Sequence, residues 1–370
     1  MIIYFILLAY IFLLPLVLQP IIPDYDKRQK WIAFLGVAFI FLIFSLKSPT
    51  VGSDIMGYRE QYYISRYMSW SNNDYVFFET GYILLEKFFS KLGVSFQLFA
   101  ALIYFVECLA LYLFISKFSS DAMMSLLIFV CYLSFVFSMS GLRQTLAMSM
   151  CIFAYLLFYK QKPIPVILGI FIIALAITIH RSAYIFYIIP IVMIYSKKFV
   201  RFNLFVFLSI LLISIFGRVF VWSAVNQLMK TVDVNTSITL GGNFIFLVGV
   251  MIFCVFTYET YYGLGILGSK RALANQPSEI VFEDTMCMRV SELCVFGEIL
   301  FSGDSMLRTV NYFVILMVPL LPNMLMKYKE EQRTILKIGL ILFLLFLFIT
   351  ETLIPNQLEI SHYKFFWETI

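Results

Sequence analysis

Long apolar runs separated by short polar connections dominate this sequence. At a resolution of about 19 residues, the hydropathy pattern predicts twelve transmembrane helices. The predicted spans lie near residues 2–22, 32–46, 97–116, 122–138, 142–159, 163–180, 182–196, 202–225, 243–267, 289–303, 310–326 and 338–354. The tenth is short and carries Glu292 and Glu298, and Arg289 is spaced to pair with Glu292 at i,i+3. The predicted fold class is therefore an all-α polytopic membrane protein.

Two polar segments are long enough to carry structure of their own. Residues 47–95 separate the second and third predicted spans, and apolar residues from Tyr82 to Leu92 recur there at helical spacing. This spacing predicts an amphipathic helix that lies on the membrane surface or re-enters it. Residues 226–242 end in two glycines and are predicted to form a mobile loop. Neither segment marks a soluble domain, so residues 1–370 are predicted to form one integral membrane domain.

Composition supports the same class and excludes several functions. The chain is 62% hydrophobic and 13% charged, with a mean hydropathy of +0.91, which lies outside the range of soluble domains. The net charge of +5 does not indicate nucleic-acid binding, because the basic residues lie in short loops. The nucleotide-binding P-loop, the zinc-protease HExxH and the hydrolase GxSxG are absent from the sequence. The first apolar run lacks a basic leader, so we expect a retained span rather than a signal peptide.

The distribution of lysine and arginine predicts an orientation. Sixteen of the 27 basic residues fall in six connections on one side of the predicted topology. Basic residues accumulate in cytoplasmic loops, so both termini are predicted to lie outside. With this orientation, six candidate site residues are predicted to lie at the outer face. The agreement among them is independent of the orientation argument, because that argument used the basic residues of the inner loops. The six candidates are Asp54, Arg59, Arg143, His180, Arg181 and Arg308.

Arg143 is the most informative of these residues, because it begins an apolar span. An ionised side chain costs a few kcal/mol at bilayer depth and usually lines a cavity. Guanidinium binds phosphate oxygens through bidentate bonds, so Arg143 with Gln144 is a candidate phosphate clamp, and Arg308 is a candidate for its second half. The alternative is that these arginines reach outward to lipid headgroups.

His180 and Asp54 are the candidate proton acceptors. His180 ends an apolar run, and a neutral imidazole accepts a proton near physiological pH. Arg181 would point about 100° away from it along a continuous helix. Asp54 either accepts the proton, orients a sugar or caps the helix that follows, and Glu79 is a similar candidate. The roles of His180 and Asp54 both stay open at this point.

Five ordered motifs resemble the EpsG-type branch of the Wzy-like polysaccharide polymerases, which act in capsule, exopolysaccharide and O-antigen assembly. The motifs are Val51-Gly52-Ser53-Asp54 with Tyr58 and Tyr62; Phe78-Glu79-Thr80-Gly81-Tyr82; Gly141-Leu142-Arg143-Gln144; Thr178-Ile179-His180-Arg181-Ser182-Ala183; and Leu307-Arg308 before Tyr312-Phe313. Their order and spacing cover residues 50–320.

This resemblance implies a bacterial cell-membrane glycosyltransferase that joins undecaprenyl-diphosphate-linked repeat units at the outer face. Arg143 and Arg308 would hold the leaving diphosphate without a metal or other cofactor, and His180 or Asp54 would accept the proton. The expected substrate-binding residues are Gln144, Tyr58, Arg59, Tyr62, Glu79, Arg181 and Tyr312. The expected partners are the lipid-linked oligosaccharide, the bilayer, a chain-length regulator and a flippase. The alternatives are a flippase for the same lipids and a ligase or acyltransferase that uses another acceptor.

Overall fold

The computed structural model describes residues 1–71, 78–132, 134–198, 202–217, 220, 242–262, 278–301, 305–356 and 358–368. Helices dominate these ranges, no β-strand forms within them, and one isolated antiparallel bridge joins Lys47 to Phe365. The α-helices are α1 (Ile2–Ile21), α2 (Tyr25–Leu46), α3 (Ile55–Ser65), α4 (Thr80–Lys91), α5 (Phe96–Phe118), α6 (Ala122–Cys131), α7 (Ser134–Ser138), α8 (Leu142–Phe158), α9 (Pro163–Ile179), α10 (Ile188–Lys198), α11 (Leu204–Phe216), α12 (Gly242–Tyr262), α13 (Ser278–Phe301), α14 (Asn311–Leu325) and α15 (Glu330–Leu347).

Six helices in the described part of the chain are long and apolar enough to cross a membrane. They are Ile2–Ile21, Tyr25–Leu46, Phe96–Phe118, Phe244–Tyr262, Arg308–Leu325 and Glu330–Thr350. A seventh candidate is the pair Ala122–Cys131 and Ser134–Ser140, which is bent by 53°. The chain is therefore an all-helical polytopic membrane protein. The count of twelve spans stays a prediction, because α8, α9 and α11 are apolar but shorter.

The chain divides into two compact units, Met1–Tyr187 with Lys337–Ile370 and Ile188–Leu336. In the first unit α8 packs along both α5 and α9, and α5 also packs along α2. Phe44 of α2 stacks on Phe135 at 5.0 Å between ring centroids and lies 5.0 Å from Tyr104 of α5. Such ring contacts join helices by close packing, which drives helix association where lipid surrounds them.

The described part of residues 47–95 contains α3 and α4, in agreement with the predicted amphipathic helix, but the buried face of α4 carries polar as well as apolar side chains. Glu86 is fully buried and accepts a hydrogen bond from the Ser65 hydroxyl at 3.2 Å. The apolar side chains of Leu84, Phe88 and Leu92 are instead 42%, 51% and 65% exposed. A helix that contacts lipid has no need to bury its apolar side chains, whereas its polar groups must find partners inside the protein.

The second unit contains α10 to α14 and several polar contacts. The predicted i,i+3 pair is confirmed: Arg289 Nη1 donates to both carboxylate oxygens of Glu292, at 2.9 and 3.0 Å. However, α13 begins at Ser278, eleven residues before the predicted span, because Asp284 is buried against Lys327 and Tyr262. A polar residue that hydropathy assigns to a loop is thus paired within a helix.

Helix α14 contains Pro319 and Pro322. Proline often kinks or breaks a helix, but α14 continues through both residues. The predicted mobile loop at residues 226–242 lies outside the described residues up to position 241, and Gly242 begins α12.

Candidate functional site

Arg143 forms an ion pair with a residue from a distant segment. Its Nη1 lies 2.5 Å from Oε2 of Glu79, and the two side chains are 15% and 14% exposed. Arg143 is the second residue of α8, where the first backbone N–H groups carry a partial positive charge. A cation there is unfavourable without a neighbouring anion, and Glu79 supplies one. Together the guanidinium and the helix N-terminus favour a negatively charged ligand.

Aromatic rings hold the guanidinium in place. Its Cζ lies 4.1 Å above the ring centroid of Phe78, within cation–π distance, and Nε donates a long hydrogen bond of 3.4 Å to the Tyr58 hydroxyl. Tyr58 packs against Phe78 and Tyr82, with ring centroids 5.3 and 5.9 Å apart. Burial raises the pKa of Tyr58, and the nearby Arg143 charge partly opposes this rise. The guanidinium is therefore oriented before any ligand binds.

Glu79 joins Arg143 to a third segment of the chain. It occupies the N-cap position of α4, yet its side chain makes no cap hydrogen bond to that helix. Oε1 instead accepts the backbone N–H of Arg181 at 3.0 Å. One carboxylate thus connects the start of α4, the start of α8 and the residues that follow α9.

The third segment contains a turn that the hydropathy pattern does not predict. Helix α9 ends at Ile179, His180 is extended with φ −151° and ψ 118°, and a 3-10 helix begins at Arg181. The expectation that His180 and Arg181 share a continuous helix is therefore wrong. The turn exposes the Arg181 N–H to Glu79, and it places His180 Nδ1 at 2.6 Å from the Ser182 hydroxyl.

Gly81 allows α4 to approach this turn. A Cβ at position 81 would lie 2.3 Å from Oγ1 of Thr178 and 2.7 Å from its carbonyl oxygen. Real Cβ atoms are not found at such distances, so only glycine fits without a shift of one helix. The close approach brings Glu79 within reach of Arg181.

Asp54 lies in a turn that contacts the residue three positions before Arg143. Gly52 has φ +103°, a conformation that favours glycine, and the Asp54 backbone N–H donates to Oγ of Ser140 at 3.1 Å. The half-buried Asp54 side chain accepts from the Ser53 hydroxyl at 3.3 Å. It makes no cap hydrogen bond to α3, so the capping interpretation of Asp54 is wrong.

The other predicted site residues occupy different environments. Tyr62 is fully buried, donates to the Val94 carbonyl at 2.9 Å and stacks on Phe99, which favours a structural role over the expected role in substrate binding. Gln144 is buried and points toward Met148. The side chains of Arg59 and Arg181 are exposed.

Arg308 and Tyr312 belong to the second unit. There the Arg308 side chain is exposed and Tyr312 is fully buried. Their part in a shared site stays a prediction.

Three further residues support the site and were not singled out from the sequence. Phe78 underlies the guanidinium, Ser140 holds the Asp54 turn and Ser182 holds His180. Each stands inside or directly beside one of the five motifs, but nothing in the spacing assigns it a contact. Among the described residues, no cluster of three histidine, cysteine or acidic side chains forms a metal site.

Comparison with known sequences assigns the chain to a family. Residues 30–365 match the sequence profile of the EpsG family, and this range includes every contact described above. The chain belongs to the EpsG family. The resemblance noted from the five motifs is confirmed over nearly the whole chain, and the EpsG family is of the Wzy-like polymerase type. No curated protein and no solved structure matches the chain.

Proposed function

We propose that this EpsG-family protein polymerises undecaprenyl-diphosphate-linked oligosaccharide repeat units at the outer face of the bacterial cell membrane. A hydroxyl of one unit attacks the anomeric carbon of the growing chain. The bond between that carbon and the diphosphate oxygen breaks, and undecaprenyl diphosphate leaves with the electron pair. The hydroxyl proton passes to a base of the protein, so each step lengthens the glycan by one repeat unit.

The observation that carries this proposal is the convergence of three motifs on Glu79. The Glu79 carboxylate forms an ion pair with Arg143 at 2.5 Å and accepts a hydrogen bond from the Arg181 backbone N–H at 3.0 Å. The three residues belong to different segments of the chain. Packing alone gives no reason for three chain segments to bring polar groups together at one partly exposed point. A polyanionic sugar substrate does give a reason, because cations and helix N-termini bind diphosphate while a carboxylate binds sugar hydroxyls.

Arg143 is assigned to the leaving diphosphate. Negative charge builds on that group as the glycosidic bond breaks, so a fixed cation stabilises the transition state more than the ground state. Phe78 and Glu79 fix the guanidinium before the reaction, which lowers the cost of orienting it. The sequence motifs predict Arg308 as a second cation. Two guanidiniums would neutralise the leaving diphosphate, so the proposed step is independent of a metal.

The proton acceptor is His180 or Asp54. If Nδ1 of His180 carries the proton, it donates to the Ser182 hydroxyl at 2.6 Å, and Nε2 then has the lone pair that a base needs. Asp54 is the second candidate because it lies near enough to Tyr58 for its charge to raise the pKa of that hydroxyl. Glu79 is assigned to substrate binding, since a carboxylate retains acceptor capacity beyond two hydrogen bonds.

The proposed topology has twelve spans with both termini outside. Ser71 and Gln161 test it because both are exposed and lie on opposite predicted sides. A cysteine introduced at Ser71 should react with a membrane-impermeant maleimide added to intact cells, and one at Gln161 should not. The six native cysteines are buried, which keeps the background low. The reverse labelling pattern would place the Glu79–Arg143 cluster on the inner side.

The location of the intermediate that accumulates in an inactive variant distinguishes a polymerase from a flippase. Arg143→Ala should leave single repeat units on lipid at the outer face, because a sugar diphosphate cannot cross about 30 Å of hydrocarbon unaided and must already have been flipped. Glycosidase added to intact spheroplasts should then digest them. Protected units at the inner face would identify a flippase, and normal polymer lacking only its attachment to a final acceptor would identify a ligase.

A further inference from the structure

Outside the proposed site, the first unit has an open cavity of about 350 Å³ at the beginning of α2. It is lined by Lys27, Lys30, Trp31, Phe34 and Tyr112. The first four residues share one face of α2 because they recur at i, i+3, i+4 and i+7, and Tyr112 comes from the neighbouring helix α5. The cavity is therefore a groove between two candidate membrane spans, and its volume lies at the lower end of the range for ligand sites.

The groove has a charged part and an aromatic part. Trp31 packs edge-on against Phe34, and Phe34 packs edge-on against Tyr112, with 5.8 Å between ring centroids in both pairs. These rings form an apolar wall, while the two lysines supply ammonium groups at the end nearest the helix start. Trp and Tyr favour the headgroup level of a bilayer, where one end of a ligand is apolar and the other polar.

The contacts of the charged residues near the groove show which basic side chains can bind an anionic ligand. Arg28 is engaged with its own turn, since Nη1 donates to the carbonyls of Ile22 and Pro23 at 3.0 and 3.3 Å. The carboxylate of Asp24 accepts the backbone N–H of Lys27 at 2.8 Å and so caps α2. Within the described part of the chain, no ion pair joins Lys27 or Lys30 to a carboxylate. Both lysines line the groove.

We propose that this groove binds one anionic phospholipid of the bilayer, with Lys27 and Lys30 at the phosphate and an acyl chain along Trp31, Phe34 and Tyr112. Basic pockets between transmembrane helices bind anionic headgroups in this way. The site goes beyond the proposed polymerase activity and needs none of its residues. In the proposed topology the groove opens to the inner leaflet, but the binding chemistry does not depend on the leaflet.

Fluorescence quenching tests the site directly because Trp31 lies in it. The full chain is reconstituted in phosphatidylcholine vesicles that carry a minor fraction of brominated phosphatidylglycerol or of brominated phosphatidylcholine. We expect stronger quenching by the anionic lipid, and the excess should disappear in Trp31→Phe. It should also fall as salt is raised, because screening weakens the attraction between exposed charges.

The lysine variants give the quantitative test. An attraction of about 1 kcal/mol per lysine corresponds to roughly five-fold in affinity, so Lys27→Gln with Lys30→Gln should weaken phosphatidylglycerol binding about 25-fold. Lys160→Gln with Lys162→Gln removes the same charge from another exposed loop and should keep the excess quenching. Equal quenching by the two lipids, or an excess that survives the Lys27 and Lys30 changes, would overturn the proposal.

Discussion

Both compact units contain ion pairs, and one pair from each unit shows how different their surroundings are. In the first unit Arg143 and Glu79 are 64 residues apart, both are partly exposed, and they meet where α4 and α8 begin. In the second unit Lys327 Nζ lies 2.8 Å from Oδ2 of Asp284, which also accepts the Tyr262 hydroxyl at 2.5 Å. Lys327 additionally donates to that hydroxyl at 3.3 Å, so the three groups form a closed triangle.

This difference distinguishes a structural ion pair from a candidate site. Asp284 is only 2% exposed, and its contacts tie α12, α13 and the end of α14 together. Glu79 and Arg143 lie at helix N-termini, where unpaired N–H groups attract an anion. We therefore expect a change at the first pair to abolish activity and a change at the second to reduce stability.

The largest expected effect comes from Gly81→Ala, which leaves both charges of the first pair in place. The new Cβ would collide with Thr178, so α4 and the turn at His180 must separate and Glu79 loses the Arg181 N–H. Polymer formation should fall to near background while the protein still inserts. Gly57→Ala is the matched control, because a Cβ at position 57 meets nothing within 4 Å. Polymer of normal length from Gly81→Ala would show that this convergence is not needed.

Asp284→Asn should reduce stability and leave activity unchanged, the opposite of Gly81→Ala. It leaves the Lys327 ammonium without its buried carboxylate, and breaking one side of such a pair costs about 3 kcal/mol. The thermal unfolding temperature of the purified protein should therefore drop, while activity per folded molecule stays normal. Glu331→Gln, an exposed carboxylate in the same unit, should change stability by less than about 0.5 kcal/mol. Loss of activity without loss of stability would place Asp284 in the site.

A pH-dependent effect on stability is expected at Glu86, on the buried face of α4. Burial raises the pKa of this carboxyl to about 8 from an ordinary value of 4.5. Between these values the folded chain keeps a proton that the unfolded chain releases, so stability should fall as pH rises, by at most about 1.4 kcal/mol per pH unit. Glu86→Gln should remove this slope and be the more stable form at pH 8.

Thermal unfolding of wild type and Glu86→Gln at pH 5 and pH 8 measures the effect. Glu60→Gln changes an exposed carboxylate on α3 and controls for the loss of a negative charge. Parallel curves for wild type and Glu86→Gln would show that Glu86 is ionised in the folded protein across this range.

The ion pairs also show which parts of the structure could be predicted from the sequence. Composition and apolar runs predicted a helical membrane protein, and the i,i+3 spacing predicted the Arg289–Glu292 pair, because both signals are local. The motifs identified Arg143, His180 and Asp54 as candidates. No local signal predicted that Glu79 bonds Arg143, because that contact depends on how α4 packs against α9. The extended conformation of His180 was missed because hydropathy marks where an apolar run ends but carries no information about the backbone angles there.

The proposed polymerase activity depends most directly on the guanidinium of Arg143, and Arg143→Lys tests this dependence. Lysine keeps the positive charge but loses the planar fork that binds two oxygens of a diphosphate or carboxylate. Loss of one oriented charge donor typically costs about 10²- to 10³-fold in rate, so glycan chain length should collapse to single repeat units while membrane insertion is normal. Arg66→Lys, which changes an exposed arginine next to the end of α3, should leave chain length unchanged. Wild-type chain length from Arg143→Lys, measured on the same gel, would contradict the assignment of this cluster as the polymerase site.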